Sequence, residues 1–366
     1  MNINKNKNIL SFFKDTTAKD WQDWHWQFKN RLTKAAQLDH FPGGAALRME
    51  KLNAVTAVYP MAITPYYLSL IQTDDENDPI RVQGIPDLRE ISCYKDYLDD
   101  PLEEDSHMPV PQLIHRYPDR CLALVTEVCL TYCRHCNRKR FWPQAAHLSL
   151  KTRLKKIIPY VSESQQIREV IISGGDPLVF EDQTIETLLA SLKAIPHIEV
   201  LRIGSRAPVV LPMRITKEFC RMLKRYRPLW FNTQFNHPTE ITPESKRACN
   251  MIQEAGIPVS NQSVLLHGVN DSPDVMRNLL YGLQKISVRP YYLFHCDPVK
   301  GCEHFQTDLK SGITMMEKIW SQCSGLSLPQ YVLDLPGSTG KMPLNTMSQA
   351  INNDLQTYQH YFDKFI

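Results

Sequence analysis

The run Leu122-Ala-Leu-Val-Thr-Glu-Val-Cys-Leu-Thr-Tyr-Cys-Arg-His-Cys136 decides the reading of this chain. Its first part, Leu122–Val125, is an apolar stretch of the kind that forms a buried strand, and its second sets Cys129, Cys133 and Cys136 in a CxxxCxxC spacing. Three thiolates hold three irons of a four-iron cluster and leave the fourth open to another ligand. Iron–sulfur clusters ordinarily take four cysteines. Structural zinc closes its tetrahedron with four protein ligands, typically a CxxC answered by a distant second pair. The chain has no second pair at that spacing. The open iron is therefore where chemistry would occur.

Downstream of that loop, short β-rich runs alternate with helical ones, the pattern of βα units around a parallel sheet. Strands are expected at Leu122–Thr126, Glu169–Ile172, Glu199–Ile203, Trp230–Thr233, Pro258–Ser260 and Arg289–Phe294. Helices are expected over Leu148–Val161, Thr184–Ala194, Thr216–Tyr226, Pro243–Ala255 and Asp274–Ile286. Six such units curl toward a barrel without reaching the closed eight-stranded form. The expected fold class is α/β, a partial (β/α)6 TIM-like barrel over residues 111–300. Segments such as DWQDWHWQFKNRLTKAAQL and PYYLSLIQ make residues 1–110 a mainly helical region, closed by the acidic stretch DLREISCYKDYLDDPLEEDSHMPVPQL. Residues 301–366 form a C-terminal segment covering the barrel, and Leu355, Tyr358, Tyr361 and Phe365 in its tail read as a core-covering helix.

Unusual residues fall where these strands end, the side on which such barrels place active sites. After the second strand comes Ser173-Gly174-Gly175-Asp176-Pro177, whose glycines let backbone approach a ligand and offer amide donors without side-chain bulk. Read alone, it is an ordinary strand-to-helix turn; its position after the cysteine strand favours the functional reading. Gly204-Ser205-Arg206 follows the third strand, Gln234-Phe235-Asn236-His237-Pro238 the fourth, and Asn261-Gln262-Ser263 lies in the fifth unit.

Composition narrows the class. With 366 residues, 43% of them hydrophobic, the chain is long enough to bury a large core. Lys and Arg total 42 against 39 acidic residues, and the net charge of +3 gives no field that singles out nucleic acid or an anionic membrane. No stretch of eighteen apolar residues occurs. Ten cysteines in a chain of this size do not suggest a disulfide framework, and a three-thiolate cluster assembles in a reducing compartment. Cytoplasmic location and a small-molecule substrate, with no membrane or nucleic-acid partner, are the expectations.

The CxxxCxxC loop resembles the signature of radical S-adenosylmethionine (SAM) enzymes. Together with HRYPDR, CLTYCRHCNRKR, ISGGDPL, RIGSRAPVVLP, FNHPTEIT, NQSVLLHGVND, RPYYLFHCD and VLDLPGSTGK, it closely resembles the lysine 2,3-aminomutase family, from about DWQDWHWQ through GSTGKMP. The resemblance implies a partial barrel of the radical SAM type that combines a 4Fe-4S cluster, SAM and pyridoxal 5'-phosphate to move an amino group between neighbouring carbons. It implies SAM contacts at Gly174, Gly175, Asp176, Ser205, Gln234 and Gln262. It places the pyridoxal phosphate lysine at Lys341, with Arg116, Tyr117 and Arg120 holding phosphate and ring. Arginine forks suit phosphate. Read alone, HRYPDR is a surface turn and Lys341 a solvated lysine. The glycines before Lys341 lack the spacing of a nucleotide phosphate loop, and Met342 stands where that loop needs a hydroxyl.

For substrate, the resemblance selects Arg138 for the α-carboxylate and Asp297 with Asp334 for a basic side chain; glutamate-specific relatives lack that acidic pair. Two carboxylates at one buried site resist ionising unless a cation joins them. The bland readings are a solvated basic patch of Arg134, Arg138, Lys139 and Arg140, and two strand-end or helix-capping aspartates. The expected reaction is L-lysine to β-lysine. The alternatives are an arginine 2,3-aminomutase, a branch supplying β-lysine for elongation factor P, and an RNA-modifying radical enzyme needing neither Lys341 nor the aspartates. An electron donor such as flavodoxin or ferredoxin and a homo-oligomeric state are implied. Ser272 stands where longer relatives carry a zinc cysteine and no cysteine follows Cys323, so no structural zinc is expected. Gln234 stands where many relatives have histidine; its amide still donates a hydrogen bond.

Overall fold

A computed structural model of the chain describes residue 13 and residues 16–38, 49–72, 75–92, 97–144, 149–337 and 340–344. One sheet dominates it: β1 (Leu113–Tyr117), β2 (Arg120–Thr126), β3 (Glu169–Gly174), β4 (Val200–Gly204), β5 (Leu229–Thr233), β6 (Val259–Leu265), β7 (Arg289–His295), β8 (Gln330–Leu335) and β9 (Gly340–Pro343), paired in that order. β2 through β8 run parallel, and β1 and β9 lie antiparallel on the two edges.

The six strands expected from the sequence are the six from β2 to β7. The helices between them are Leu150–Glu163, Asp182–Lys193, Lys217–Lys224, Pro243–Glu254 and Pro273–Lys285. Side chains of Ser149, Thr216 and Thr242 cap three of these by accepting an early backbone N–H, which satisfies donors the helix cannot. β8 adds a seventh parallel strand, reached through the helix Leu309–Trp320, whose first turn Asp308 caps. The sequence hides β8 because its apolar run is short and Asp334 interrupts it. The sheet thus continues past residue 300.

Period-two alternation separates two layers. Val170 and Ile172 of β3 and Leu201 and Ile203 of β4 are buried in the main core cluster with Leu188, Leu189 and Phe219 from the helices. The alternate residues Ile171, Ser173, Arg202 and Gly204 face a cavity on the concave side. A closed barrel fills its interior with branched side chains; here polar and small residues leave room.

The N-terminal region is less regular than its composition suggests. Asp23 ends one helix, Ala18–Gln22, and caps the next, Trp24–Lys29, so the tryptophan-rich segment breaks into two short pieces. PYYLSLIQ gives only Pro65–Leu68. Leu355, Tyr358, Tyr361 and Phe365 lie outside the described residues. Among the described residues no helix is long and apolar enough to cross a membrane.

Candidate active site

The residues assigned from the sequence to cluster, SAM, pyridoxal phosphate and substrate all line one cavity of about 640 Å³ on the concave side of the sheet. Cys129, Cys133 and Cys136 stand with Gly174, Gly175, Asp176, Ser205, Gln234 and Gln262 in its wall, as do Arg116, Tyr117, Arg120, Arg138, Asp297, Asp334 and Lys341. A recess of about 710 Å³ opens at the opposite strand ends, around Trp230, Gly256 and Arg289, and contains none of them.

The cysteine loop is held from below by charge. Arg134 and Lys139, which a linear reading assigns to a basic surface patch, are fully buried on Glu90 at 2.6 and 2.9 Å. Arg134 also donates to the Pro60 and Tyr59 carbonyls, and Lys139 lies 4.2 Å from the Tyr59 ring centroid. This correction follows from Glu90, a partner 44 residues upstream of Arg134.

The GGD turn is fitted against the same loop. The Gly175 and Asp176 N–H groups donate to the Thr126 and Val128 carbonyls at 2.5 and 2.9 Å. The Gly175 amide expected to face a ligand is therefore spent on backbone. A Cβ on Gly174 would meet the Thr126 carbonyl oxygen at 2.4 Å, and one on Gly175 the Val128 oxygen at 2.3 Å, so only glycine permits this approach. Asp176 accepts the Ser205 hydroxyl at 2.7 Å and the Leu178 and Arg206 N–H groups at 2.9 Å, while burial raises its carboxyl.

The three thiols are free, and burial pushes two of them up: Cys129 well above the ordinary thiol value, raised also by Cys136 and Cys133, and Cys136 to about 11, raised also by Cys133. Metal ligation takes the thiolate and releases those protons. Among the described residues no three His, Cys, Asp or Glu side chains converge on a single-ion centre. The thiols instead share one cavity wall beside basic groups: Arg206 Nη1 donates to the Cys133 sulfur at 2.8 Å, and the Arg138 backbone N–H reaches the Cys136 sulfur at 3.4 Å. An all-sulfur donor set with neighbouring cations fits an anionic polynuclear cluster.

The other end of the cavity is built by the two sheet edges. β9 pairs with β8 so that Lys341 lies directly across from Asp334, and its ammonium contacts that carboxylate at 3.0 Å. The β1–β2 hairpin brings Arg116 to the other Asp334 oxygen at 2.9 Å and to the Gly337 carbonyl at 2.6 Å. Arg116 Nη2 is buried without a partner, a donor left for an anion. Arg120 stacks 3.9 Å from the Tyr117 ring centroid, and the Tyr117 hydroxyl accepts the Lys341 N–H at 3.2 Å. HRYPDR is thus a hairpin joining the edges, and a primary amine beside an unfilled guanidinium donor fits pyridoxal phosphate.

Asp297 follows β7 and accepts the Asn137 amide at 2.9 Å through one oxygen; its other oxygen is buried without a partner. Burial, then Asp334, raises its carboxyl from 3.8 to about 7. Arg138, expected to offer its fork to a substrate carboxylate, already holds Glu104 through Nε at 3.0 and 3.1 Å and Nη2 at 2.6 Å. Burial opposes the Arg138 charge, and Glu104 outweighs it. Nη1 remains for a further anion.

Comparison with known proteins accords with this arrangement. Residues 124–280 match the Radical SAM superfamily model. The chain is 48% identical to an L-lysine 2,3-aminomutase of Clostridium subterminale over 91% of this chain and 80% of that protein. It is 47% identical to the one from Fusobacterium nucleatum, over 91% and 78%. The chain belongs to the lysine 2,3-aminomutase family. A glutamate 2,3-aminomutase of Clostridioides difficile is also 41% identical, over 93% and 81%, so overall identity does not select the substrate among aminomutases.

Within this aminomutase frame, the residues that linear reading missed are the partners. Glu104 lies in an acidic stretch that reads as a boundary, and Arg206 reads only as one of several polar groups at a strand end. Glu240, fully buried, accepts from Arg206 and the Tyr67 hydroxyl, each at 2.7 Å. A helical motif HPTE with glutamate three residues after a capping histidine was the available signal for Glu240.

Proposed function

We propose that this chain is a radical SAM, pyridoxal phosphate-dependent aminomutase that converts L-lysine to β-lysine. The observation that carries the substrate is the acidic pair, Asp297 with an unpartnered buried oxygen and Asp334 beside it, within the same cavity as Lys341. A glutamate side chain would add a third carboxylate there; an ammonium neutralises the two present.

Cys129, Cys133 and Cys136 would hold a 4Fe-4S cluster, Gly174, Gly175, Asp176, Ser205, Gln234 and Gln262 would line the SAM position, and Arg116, Tyr117, Arg120 and Lys341 would hold pyridoxal phosphate. When bound, these groups supply a carbon radical that removes and returns a hydrogen atom, and a conjugated ring system through which the substrate amine migrates. The protein's own part is placement. Arg138 Nη1 takes the α-carboxylate while Glu104 keeps the guanidinium in one orientation. Asp297 and Asp334 take the side-chain ammonium, fixing the opposite end of the substrate. Two anchors at the ends of one flexible amino acid leave a single carbon facing the cysteine end, and a reactive radical demands that restriction.

The basic residues near the cysteines are neutralised inside the protein, Arg134 and Lys139 by Glu90, Arg138 by Glu104, and Arg140 by Asp100, Glu104 and Asp105. That supports a small amino acid rather than RNA as substrate. A one-electron donor, no structural zinc and a cytoplasmic, homo-oligomeric enzyme belong to the same reading. The test is anaerobic incubation of reconstituted protein with SAM, pyridoxal phosphate, reductant and lysine, arginine or glutamate separately. β-Lysine is the expected product. β-Arginine alone or β-glutamate alone would replace the substrate assignment, and cleavage of SAM with no amino acid product from any of the three would refute the aminomutase reading.

A further inference from the structure

We propose that Arg206 sets the reduction potential of the cluster by holding a positive charge and a hydrogen bond on the Cys133 sulfur, an inference that rests on Cys129, Cys133 and Cys136 being cluster ligands. Arg206 is 7% exposed and follows β4. Its Nη1 donates to the Cys133 sulfur at 2.8 Å. The rest of the guanidinium is fixed from several directions: Nε on the Gln234 carbonyl at 3.0 Å, and Nη2 on Gln83 and Glu240 at 2.7 Å and Tyr67 at 3.2 Å. Gln83, Tyr67 and Glu240 are themselves fully buried. Its backbone N–H is held by Asp176 at 2.9 Å. Nε and Nη2 are committed to protein oxygen, and Nη1 is the nitrogen turned to the sulfur.

The three ligand sulfurs are consequently unequal. Cys136 receives a backbone amide at 3.4 Å, whereas Cys133 receives a full, permanently charged guanidinium. Reduction adds one electron that spreads onto the cluster and its sulfurs. A cation and an N–H bond on a ligand sulfur stabilise the reduced form more than the oxidised one, and burial limits the screening. Arg206 therefore raises the potential at which the cluster accepts its electron. Glu240, on the far side of the guanidinium at 2.7 Å, partly offsets that charge and tunes the effect downward.

A second role for Arg206 is mechanical, since it ties the cysteine loop to Tyr67 and Gln83 of the N-terminal region and to the loop after β5. The two roles separate experimentally. A staple alone lowers melting temperature and cluster yield but leaves the potential of the loaded fraction unchanged.

The experiment is a redox titration of the full-length protein, reconstituted without oxygen, assayed for iron and sulfide, and followed by the electron paramagnetic resonance signal of the reduced cluster in the absence of SAM. Wild type, Arg206→Lys and Arg206→Met are compared at equal iron content. For Arg206→Met, the ratio of reduced to oxidised cluster at a fixed solution potential falls about tenfold, equivalent to about 59 mV for one electron. Arg206→Lys lies between, because it keeps the charge but not the fork. An Arg206→Met cluster that titrates with wild type overturns the proposal. If that variant does not load, Glu240→Gln decides: with the counter-charge gone, the midpoint rises, and an unchanged or lower midpoint overturns the proposal. Wild-type protein that binds no cluster would refute the functional reading itself, a result distinct from either of these.

Discussion

Replacing Asp297 by asparagine removes a carboxyl whose charge the folded protein opposes. Burial and the Asp334 charge raise it from 3.8 to about 7. A group whose folded value lies above its unfolded value favours folding most fully below the unfolded value, and that contribution is lost as pH rises through the folded one. Between about pH 5 and pH 8 the unfolded chain keeps Asp297 ionised, while the folded chain ionises it only above about 7. Two of those three units cost stability at about 1.4 kcal/mol each. The ceiling is about 2.7 kcal/mol, and partial contact with the solvent-filled cavity reduces it to about 1–2 kcal/mol. Asparagine keeps the shape and the Asn137 contact but does not titrate. The Asp297→Asn protein without cofactors should therefore gain about 1–2 kcal/mol on wild type between pH 5 and pH 8, measured by denaturant unfolding at both values. The linked binding experiment has the opposite sense. A substrate ammonium needs Asp297 ionised, so wild-type affinity for lysine should fall up to tenfold per unit as pH drops below about 7, and the variant should bind weakly at every pH. A stability difference independent of pH, together with lysine affinity flat from pH 5 to 8, would refute the assignment of a raised, cation-seeking carboxyl at this position.

Glu90→Ala should cost about 3–5 kcal/mol, because it leaves Arg134 and Lys139 buried without their counter-charge; thermal unfolding of the cofactor-free protein measures it, and a loss under about 1 kcal/mol would contradict the burial. Gly175→Ala forces its Cβ within 2.3 Å of the Val128 oxygen, so the loop into Cys129 must shift, and iron uptake on reconstitution should drop even where circular dichroism stays native. Lys341→Met, studied without pyridoxal phosphate, should bind lysine roughly ten- to a hundredfold more tightly than similarly prepared wild type, since Asp334 loses an internal ammonium worth about 1.5–3 kcal/mol; equilibrium dialysis with labelled lysine checks this, and equal affinities would count against it.

The parallel sheet was legible because alternating short apolar runs and helical periods leave a repeated mark, and six of seven parallel strands carried it. β8 did not, since a strand of six residues with an aspartate inside is indistinguishable from a loop until its neighbours are known. Candidate site residues that share the cavity were legible where one local motif or the family resemblance pointed to them: three cysteines, two glycines, and the lysine and arginines matched to it. Their electrostatic partners were not. Arg138 meets Glu104 across 34 residues, and Arg206 meets Cys133 across 73. A charged residue in sequence reads as solvated because most are. Burial of Arg134 and Lys139 became visible only when folding set Glu90 under the cysteine loop.

The contact between Lys341 and Asp334 links these charges into an order of events. In the free protein the Asp334 carboxylate faces two cations, the Lys341 ammonium at 3.0 Å and Arg116 at 2.9 Å. The first of these is chemically the headgroup of lysine itself, an ε-ammonium on a four-carbon stem, so the protein already shows that Asp334 accepts such a group in good geometry. A phosphate at the open Arg116 Nη2 would draw on the same guanidinium. In the proposed reading, a Lys341 nitrogen committed to pyridoxal phosphate would no longer serve Asp334 as a free ammonium. The carboxylate pair would then be short of positive charge, and the side chain of an incoming basic amino acid would restore it. In the proposed reading, the cofactor-loaded cavity, short of one cation beside Asp297 and Asp334, would be the form that selects a basic amino acid.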